Sequence, residues 1–287
     1  PDRNGDITRL RYKGINLSYM SPCGYVAPAY YDSIGSNWLG SFTAGFLTTC
    51  GLQAVGSPCQ DEGEELPLHG SIGNTPCERA YWTEEKGALV IHTVTKDEAI
   101  FGRKLRLSRE IQVSTERNSF VIEDTITNTG DRVEPVEILY HMNMGYPLLS
   151  EKSLVYIGSD RTLPRNERAA EGIGEWDRMR RPEAGFEEQC YYHKFSKEGK
   201  AGIFQPEEGL GLMILFDSEN LNYFTEWKMM GVRDYVLGLE PGNCHPHGRK
   251  KMREDGTLKI LAPQEEVTYR FQVRMVKGMD VWEEMTK

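Results

Sequence analysis

Apolar and polar residues alternate over most of the chain. In Phe120-Val121-Ile122-Glu123-Asp124-Thr125-Ile126, Phe120, Ile122 and Ile126 share one face with only Asp124 interrupting, the period-2 signature of a half-buried strand. The same alternation predicts strands over 88–96, 104–114, 119–128, 134–144, 211–217, 221–227, 232–240, 258–261 and 267–276. Thr115-Glu116-Arg117-Asn118 and Asn128-Thr129-Gly130-Asp131 read as hairpin loops, so consecutive strands form a long antiparallel meander. Helical periodicity is weak. Residues 41–52 predict a short helix or an irregular small-residue segment, and 281–285 a terminal turn. Two stretches, 51–65 and 161–185, have no clear period; loops of that length are usually functional or poorly ordered. The second, rich in Arg, Glu and Gly, reads either as a lid over a site or as a plain surface excursion. With no internal repeat, low-complexity tract or dividing linker, 1–287 reads as a single, mostly β domain.

Composition narrows the function classes. With 39% hydrophobic and 10% aromatic residues among 287, the chain has the make-up of an ordinary globular protein with a substantial core. A formal charge of -9 argues against binding nucleic acid by phosphate neutralisation. No apolar stretch is long enough to span a bilayer as a helix. The one dense basic run, Arg249-Lys250-Lys251-Met252-Arg253, reads as a solvated loop, with anion binding as the alternative. Six scattered cysteines form no C-x-x-C pair and no zinc-ribbon spacing, so reduced thiols and a cytoplasmic location are expected. The chain opens on Pro1 rather than Met, which leaves room for a leader or an N-terminal strand ahead of it.

Candidate chemistry gathers in three segments, Leu68-His69-Gly70-Ser71-Ile72-Gly73-Asn74, Tyr140-His141-Met142-Asn143-Met144-Gly145-Tyr146-Pro147 and Leu239-Glu240-Pro241-Gly242-Asn243. Each sets a histidine or glutamate beside glycine, proline or asparagine, residues that end strands and admit a ligand close to the backbone. A strand ending at 143 puts Leu139, His141 and Asn143 on one face and Ile138, Tyr140 and Met142 on the other. His141, with an ordinary pKa of about 6.5, is a candidate proton donor, or else a histidine satisfied within the sheet. Pro241 holds Glu240 extended, as suits a carboxylate delivered to a pocket or a plain turn after a strand. His69 and Asn74 suit a polyhydroxylated ligand. Trp227 offers a stacking face for a sugar ring or a core residue. In Cys244-His245-Pro246-His247, the pair His245 and His247 could hold a divalent metal given a third ligand, bind a hydroxyl or acid group through His247, or lie in an inert loop. Arg3 and Arg249 are candidate partners for a substrate anion.

The order of these motifs, a His-Gly segment, a strand-end His-x-Asn-x-Gly-x-Pro and a late Leu-Glu-Pro-Gly, resembles the aldose 1-epimerase (galactose mutarotase-like) superfamily. The resemblance is closest to its bacterial branch of aldose 1-epimerase-like proteins and takes in Asp2-Arg3, Asp6-Ile7 and Glu188-Gln189. It implies a galactose mutarotase-like β-supersandwich and an isomerase acting on a sugar or sugar derivative without metal or organic cofactor. Carried over by motif, Glu240 takes the anomeric hydroxyl proton, His141 protonates the ring oxygen from the other side of the sugar, and His69 polarises sugar oxygens. Two positions depart from the pattern. Ser71 stands where related sequences often have arginine, and the sugar-gripping aspartate has no clear counterpart, for which Glu188 is the candidate. The same groups would serve another proton transfer on a keto sugar, and a carbohydrate-binding protein without turnover is the non-enzymatic alternative.

Overall fold

The alternating segments pair largely in the order in which the chain delivers them. In the computed structural model, which describes residues 2–287 and so leaves Pro1 outside, two antiparallel sheets enclose the main core. The eight-stranded sheet runs Leu154–Ile157, Gly199–Gln205, Leu210–Phe216, Glu266–Lys277, Ser119–Asn128, Lys104–Ser114, Ala88–Glu98, Arg79–Glu85. The seven-stranded sheet runs Arg161–Pro164, Gln189–Lys194, Tyr223–Met230, Tyr235–Gly242, Glu134–Met144, Lys259–Leu261, with Leu47–Leu52 also paired to Glu134–Met144. Ile122 and Ile126 of the first sheet meet Ile138, Tyr140 and Met142 of the second in one apolar cluster.

The polar interruption at Asp124 has a structural cause. Its carboxylate takes Nε and Nη2 of Arg109 from the neighbouring strand, both at 2.7 Å, and the Tyr140 hydroxyl at 2.9 Å. Arg109 continues to Asp6 Oδ1 at 2.7 Å and Thr49 Oγ1 at 2.8 Å. A fully buried ion pair with its hydrogen bonds satisfied thus ties the first sheet to the strand that carries His141.

Several expectations need correction. Residues 41–52 are not a helix: after a 3-10 turn at Asn37–Ser41 come short strands at Ala44–Gly45 and Leu47–Leu52. Leu47–Leu52 is buried on both faces, so it shows no alternation. The 232–240 and 221–227 strands sit slightly later, at Tyr235–Gly242 and Tyr223–Met230. The terminal turn is a helix, Met279–Met285, whose Trp282 stacks on Phe204. The 161–185 stretch is a folded excursion. It holds the Arg161–Pro164 strand and the Glu167–Glu171 helix, capped by Asn166, and the buried Lys228 ammonium takes the carbonyls of Glu175 at 2.8 Å and Arg178 at 2.5 Å. The basic run is no solvated loop but the helix Arg249–Glu254, with Arg249 buried.

Candidate active site

The pairing register brings the second and third motifs together. Leu139 lies opposite Gly242 and Met142 opposite Leu239, so His141 and Glu240 are direct cross-strand neighbours on the face turned away from the main core. His141 Nδ1 stands 3.3 Å from Glu240 Oε1, and both side chains are buried. Thr225 flanks Glu240 from the opposite strand. Gly238 makes room for the carboxylate, because a Cβ there would lie 2.2 Å from Glu240 Oε1.

His69 reaches the same place from a loop. Its φ of +57° and the +69° of Gly70 turn the chain sharply, and a Cβ on Gly70 would sit 2.3 Å from the Gly51 carbonyl oxygen, so only glycine fits. The Gly56 N–H donates to His69 Nδ1 at 3.3 Å, while the His69 N–H donates to the Gly56 carbonyl at 3.0 Å. With Nδ1 an acceptor, the neutral ring carries its proton on Nε2. Burial, helped by Arg165, lowers this imidazole to about 4 and keeps it neutral.

These groups border a cleft of about 230 Å³, room for a small ligand or, at roughly 30 Å³ each, several waters. Phe42 packs against His141 with ring centres 5.1 Å apart, Trp38 against His69 at 4.8 Å, and Trp227 meets His141 edge-on at 5.2 Å. Trp227 is only part-buried and donates its indole N–H to Glu188 Oε2 at 2.7 Å. Arg165 Nη1 lies 3.7 Å from Glu188 Oε1. Burial raises the Glu240 carboxyl well above the usual carboxylate range and lowers His141 to about 3.

His69, His141, Glu188, Trp227 and Glu240 therefore share the cleft. The other candidate residues do not line it, for physical reasons. Arg3 donates to the carbonyls of Gly73, Val26 and Ser41 and, at 2.7 Å, to Asn74 Oδ1, so Arg3 and Asn74 staple the N-terminal segment to the loop after His69. Arg249 is spent on Asp61 Oδ2 at 2.6 Å and Glu64 Oε2 at 2.7 Å. Asn143, wholly buried, donates to the His141 carbonyl at 2.8 Å. His247 packs beside Tyr192 behind the wall, its ring centre 5.5 Å from that of His245, and among the described residues no cluster of three or more His, Cys, Asp or Glu gathers there.

Sequence reasoning missed Trp38, Phe42 and Arg165. The first two sit in or beside a 3-10 turn with no period to reveal them. Arg165 follows the strand Arg161–Pro164, within a stretch whose pairing alternation does not disclose.

This architecture is that of the galactose mutarotase-like proteins. A candidate aldose 1-epimerase from Klebsiella pneumoniae subsp. pneumoniae superposes with a TM-score of 0.93 at 24% identity, over 100% of this chain and 78% of that one. A galactose mutarotase-like protein from Clostridium acetobutylicum gives 0.68 at 13% identity, over 96% of this chain and 91% of that one. A candidate aldose 1-epimerase from Escherichia coli K12 gives 0.62 at 14% identity, over 96% and 94%. The chain itself belongs to the family described as a domain of unknown function, DUF4432, whose model matches residues 1–275. No curated protein matches it in sequence. Among the described residues no helix is long and apolar enough to cross a membrane.

Proposed function

We propose that this protein is a carbohydrate-active isomerase that interconverts the anomers of an aldose or aldose derivative, with Glu240 and His141 as its acid/base pair. The observation that carries this reading is their buried 3.3 Å contact on the wall of a cleft with room for a small ligand. Ring opening needs a base for the anomeric hydroxyl proton and an acid for the ring oxygen. Both oxygens are attached to C1, so two adjacent groups on one wall can serve them together. The sequence expectation sets the two groups on opposite sides of the sugar; their 3.3 Å contact supports a side-by-side arrangement.

In the forward step Glu240 takes the O1 proton, the O1–H electrons form the C1=O bond, the C1–O5 pair moves to O5, and His141 protonates O5. Rotation about C1–C2 and reclosure on the other face, with the roles exchanged, yields the opposite anomer. Burial raises Glu240 and lowers His141, so at neutral pH the pair holds one proton between them. One is the number the cycle uses: these directions rest it on Glu240 with His141 neutral, and it passes to His141 before opening, so that Glu240 is the carboxylate that takes the O1 proton and His141 the imidazolium that gives one to O5. His69 donates Nε2–H to a sugar oxygen, Trp227 offers its face to the ring, and Glu188 and Arg165 accept from and donate to hydroxyls away from C1.

The test is anomer exchange followed by NMR on aldoses, deoxy sugars, uronic acids and keto sugars. Acceleration on at least one is expected. Binding without acceleration on any of them would reassign the protein to carbohydrate binding or to another proton transfer.

Two further results are expected. A hydrogen bond to a charged group is worth about 1.5–3 kcal/mol, so Arg165→Met should raise KM roughly 10- to 100-fold with kcat within about threefold. An unchanged KM would remove Arg165 from the substrate contacts. The second concerns pH. A second proton adds only as pH falls toward the lowered His141 value of about 3, and the last proton leaves only above the raised Glu240 value. The profile of kcat/KM should therefore be flat across a range wider than the interval of about 4.3 to 6.5 set by an ordinary glutamate and histidine. An acid limb near 6.5 would contradict the shared-proton pair.

A further inference from the structure

Glu137 lies four residues before His141 on the same face of the Glu134–Met144 strand, buried and outside the residues that line the cleft. Its Oε2 accepts the Val55 N–H at 2.7 Å, and the Val55 carbonyl accepts the Gly248 N–H at 3.0 Å. The next residue, Gly56, borders the cleft and is the one that donates its N–H to His69 Nδ1 at 3.3 Å and accepts the His69 N–H at 3.0 Å. Val55 belongs to no strand, and its amide has this carboxylate as its acceptor. One short path thus runs from the strand that bears His141, through a carboxylate and two loop residues, to the ring of His69.

We propose that Glu137 is a positioning residue: by gripping the Val55 amide it fixes the Gly56 N–H that keeps His69 in its Nε2–H form, and so sets one histidine of the cleft relative to the other. The two rings stand 5.9 Å apart at 73°; the Gly51 N–H donates to the His69 carbonyl at 2.9 Å from the strand paired to that of His141, and Glu137 adds a side-chain link that reaches the His69 ring itself through Val55 and Gly56. A carboxyl suits the task because it accepts the amide hydrogen in either protonation state. Burial pushes Glu137 up to about 7 against the pull of the Val55 N–H, Arg249 and Arg253 and with the push of Asp61, while the neighbouring Cys244 thiol is itself held protonated by burial. Its Oε1 has no hydrogen-bond partner among the described residues, which leaves that oxygen free to carry the proton.

Only the kinetic part of the test rests on the proposed activity. Imidazole and amide 15N and 1H shifts of His69 and Val55 would be followed from pH 5 to 9 in the full chain, its Glu137→Gln variant and its Glu137→Leu variant. In the parent, the Val55 amide and His69 Nδ1 should move together with an inflection near 7, a range in which His69 itself, at about 4, does not titrate. Glu137→Gln should abolish that shared inflection and keep His69 as Nε2–H. Glu137→Leu, which offers the Val55 amide no acceptor, should mix the two His69 tautomers and lower kcat for anomer exchange about tenfold with KM within threefold. A folded Leu variant with the parent's His69 pattern, or a Val55 response in the parent that His69 does not share, would overturn the proposal. If the Leu variant does not fold, the comparison of parent with Gln decides. If no sugar is turned over, the functional reading fails while the NMR comparison still decides this one.

Discussion

Glu240→Gln should lower kcat for anomer exchange by about 10²- to 10⁴-fold, the usual worth of a positioned acid or base, while leaving the fold and sugar binding close to the parent's. The substitution keeps shape and volume beside Gly238, Thr225 and His141. An amide, however, can neither take the anomeric proton nor hold it as an acid for the return. His141→Asn should fall within the same range, and the double variant should cost little more than either single one, because the two residues share one proton and act as a unit. Near-parental turnover in either variant would end the acid/base assignment. Retained binding with no turnover in the parent would instead favour a binding protein.

The parts of the fold most legible in the sequence have one wet face and one dry face, although Glu134–Met144 and Leu210–Phe216, buried on both faces, are predicted as well. Along Lys104–Ser114 burial alternates residue by residue through Glu110 and Ile111, and the hydrophobic pattern follows it except at Arg109, the buried partner of Asp124. Gln189–Lys194 and Gly199–Gln205 are covered on both faces, whereas Arg79–Glu85 is exposed along almost its whole length, and neither situation produces alternation. The same limit governs the site. His141 and Glu240 could be picked out as chemistry at strand ends, but their contact is a matter of register between strands about a hundred residues apart in sequence.

Polar residues near the motifs were harder to interpret, since a buried arginine needs carbonyls or carboxylates whether or not a ligand is involved. Arg3 and Arg249 have neighbours of that kind within the protein, and Asn74 is one of them. Arg165, whose nearest carboxylate is a looser 3.7 Å away on the cleft wall, retains donors for a ligand, and nothing in its local sequence distinguishes it from the others. What separates a candidate ligand contact from a staple here is the completeness of its partners, which only the folded arrangement determines.

Local room governs the acid/base pair directly at Gly238, and Gly238→Ala should reduce kcat about 100-fold although it leaves every ionisable group in place. The added methyl would lie 2.2 Å from Glu240 Oε1 and 3.0 Å from the Trp227 Cβ, both closer than van der Waals contact allows. The backbone has little freedom to retreat, because Gly238 is paired to Asn143 on one side and Trp227 on the other. The Glu240 side chain must move instead, carrying Oε1 off its position 3.3 Å from His141 Nδ1, and a misplacement of about 1 Å is enough for a loss of this size. Overpacking also costs roughly 1–3 kcal/mol of stability, so the rate should be measured where melting shows the variant fully folded. Under that condition, a kcat within threefold of the parent would mean that the contact of Glu240 with His141 is not what the reaction uses. A loss matching that of Glu240→Gln, with sugar affinity retained, would show that the placement of the carboxylate matters as much as its presence.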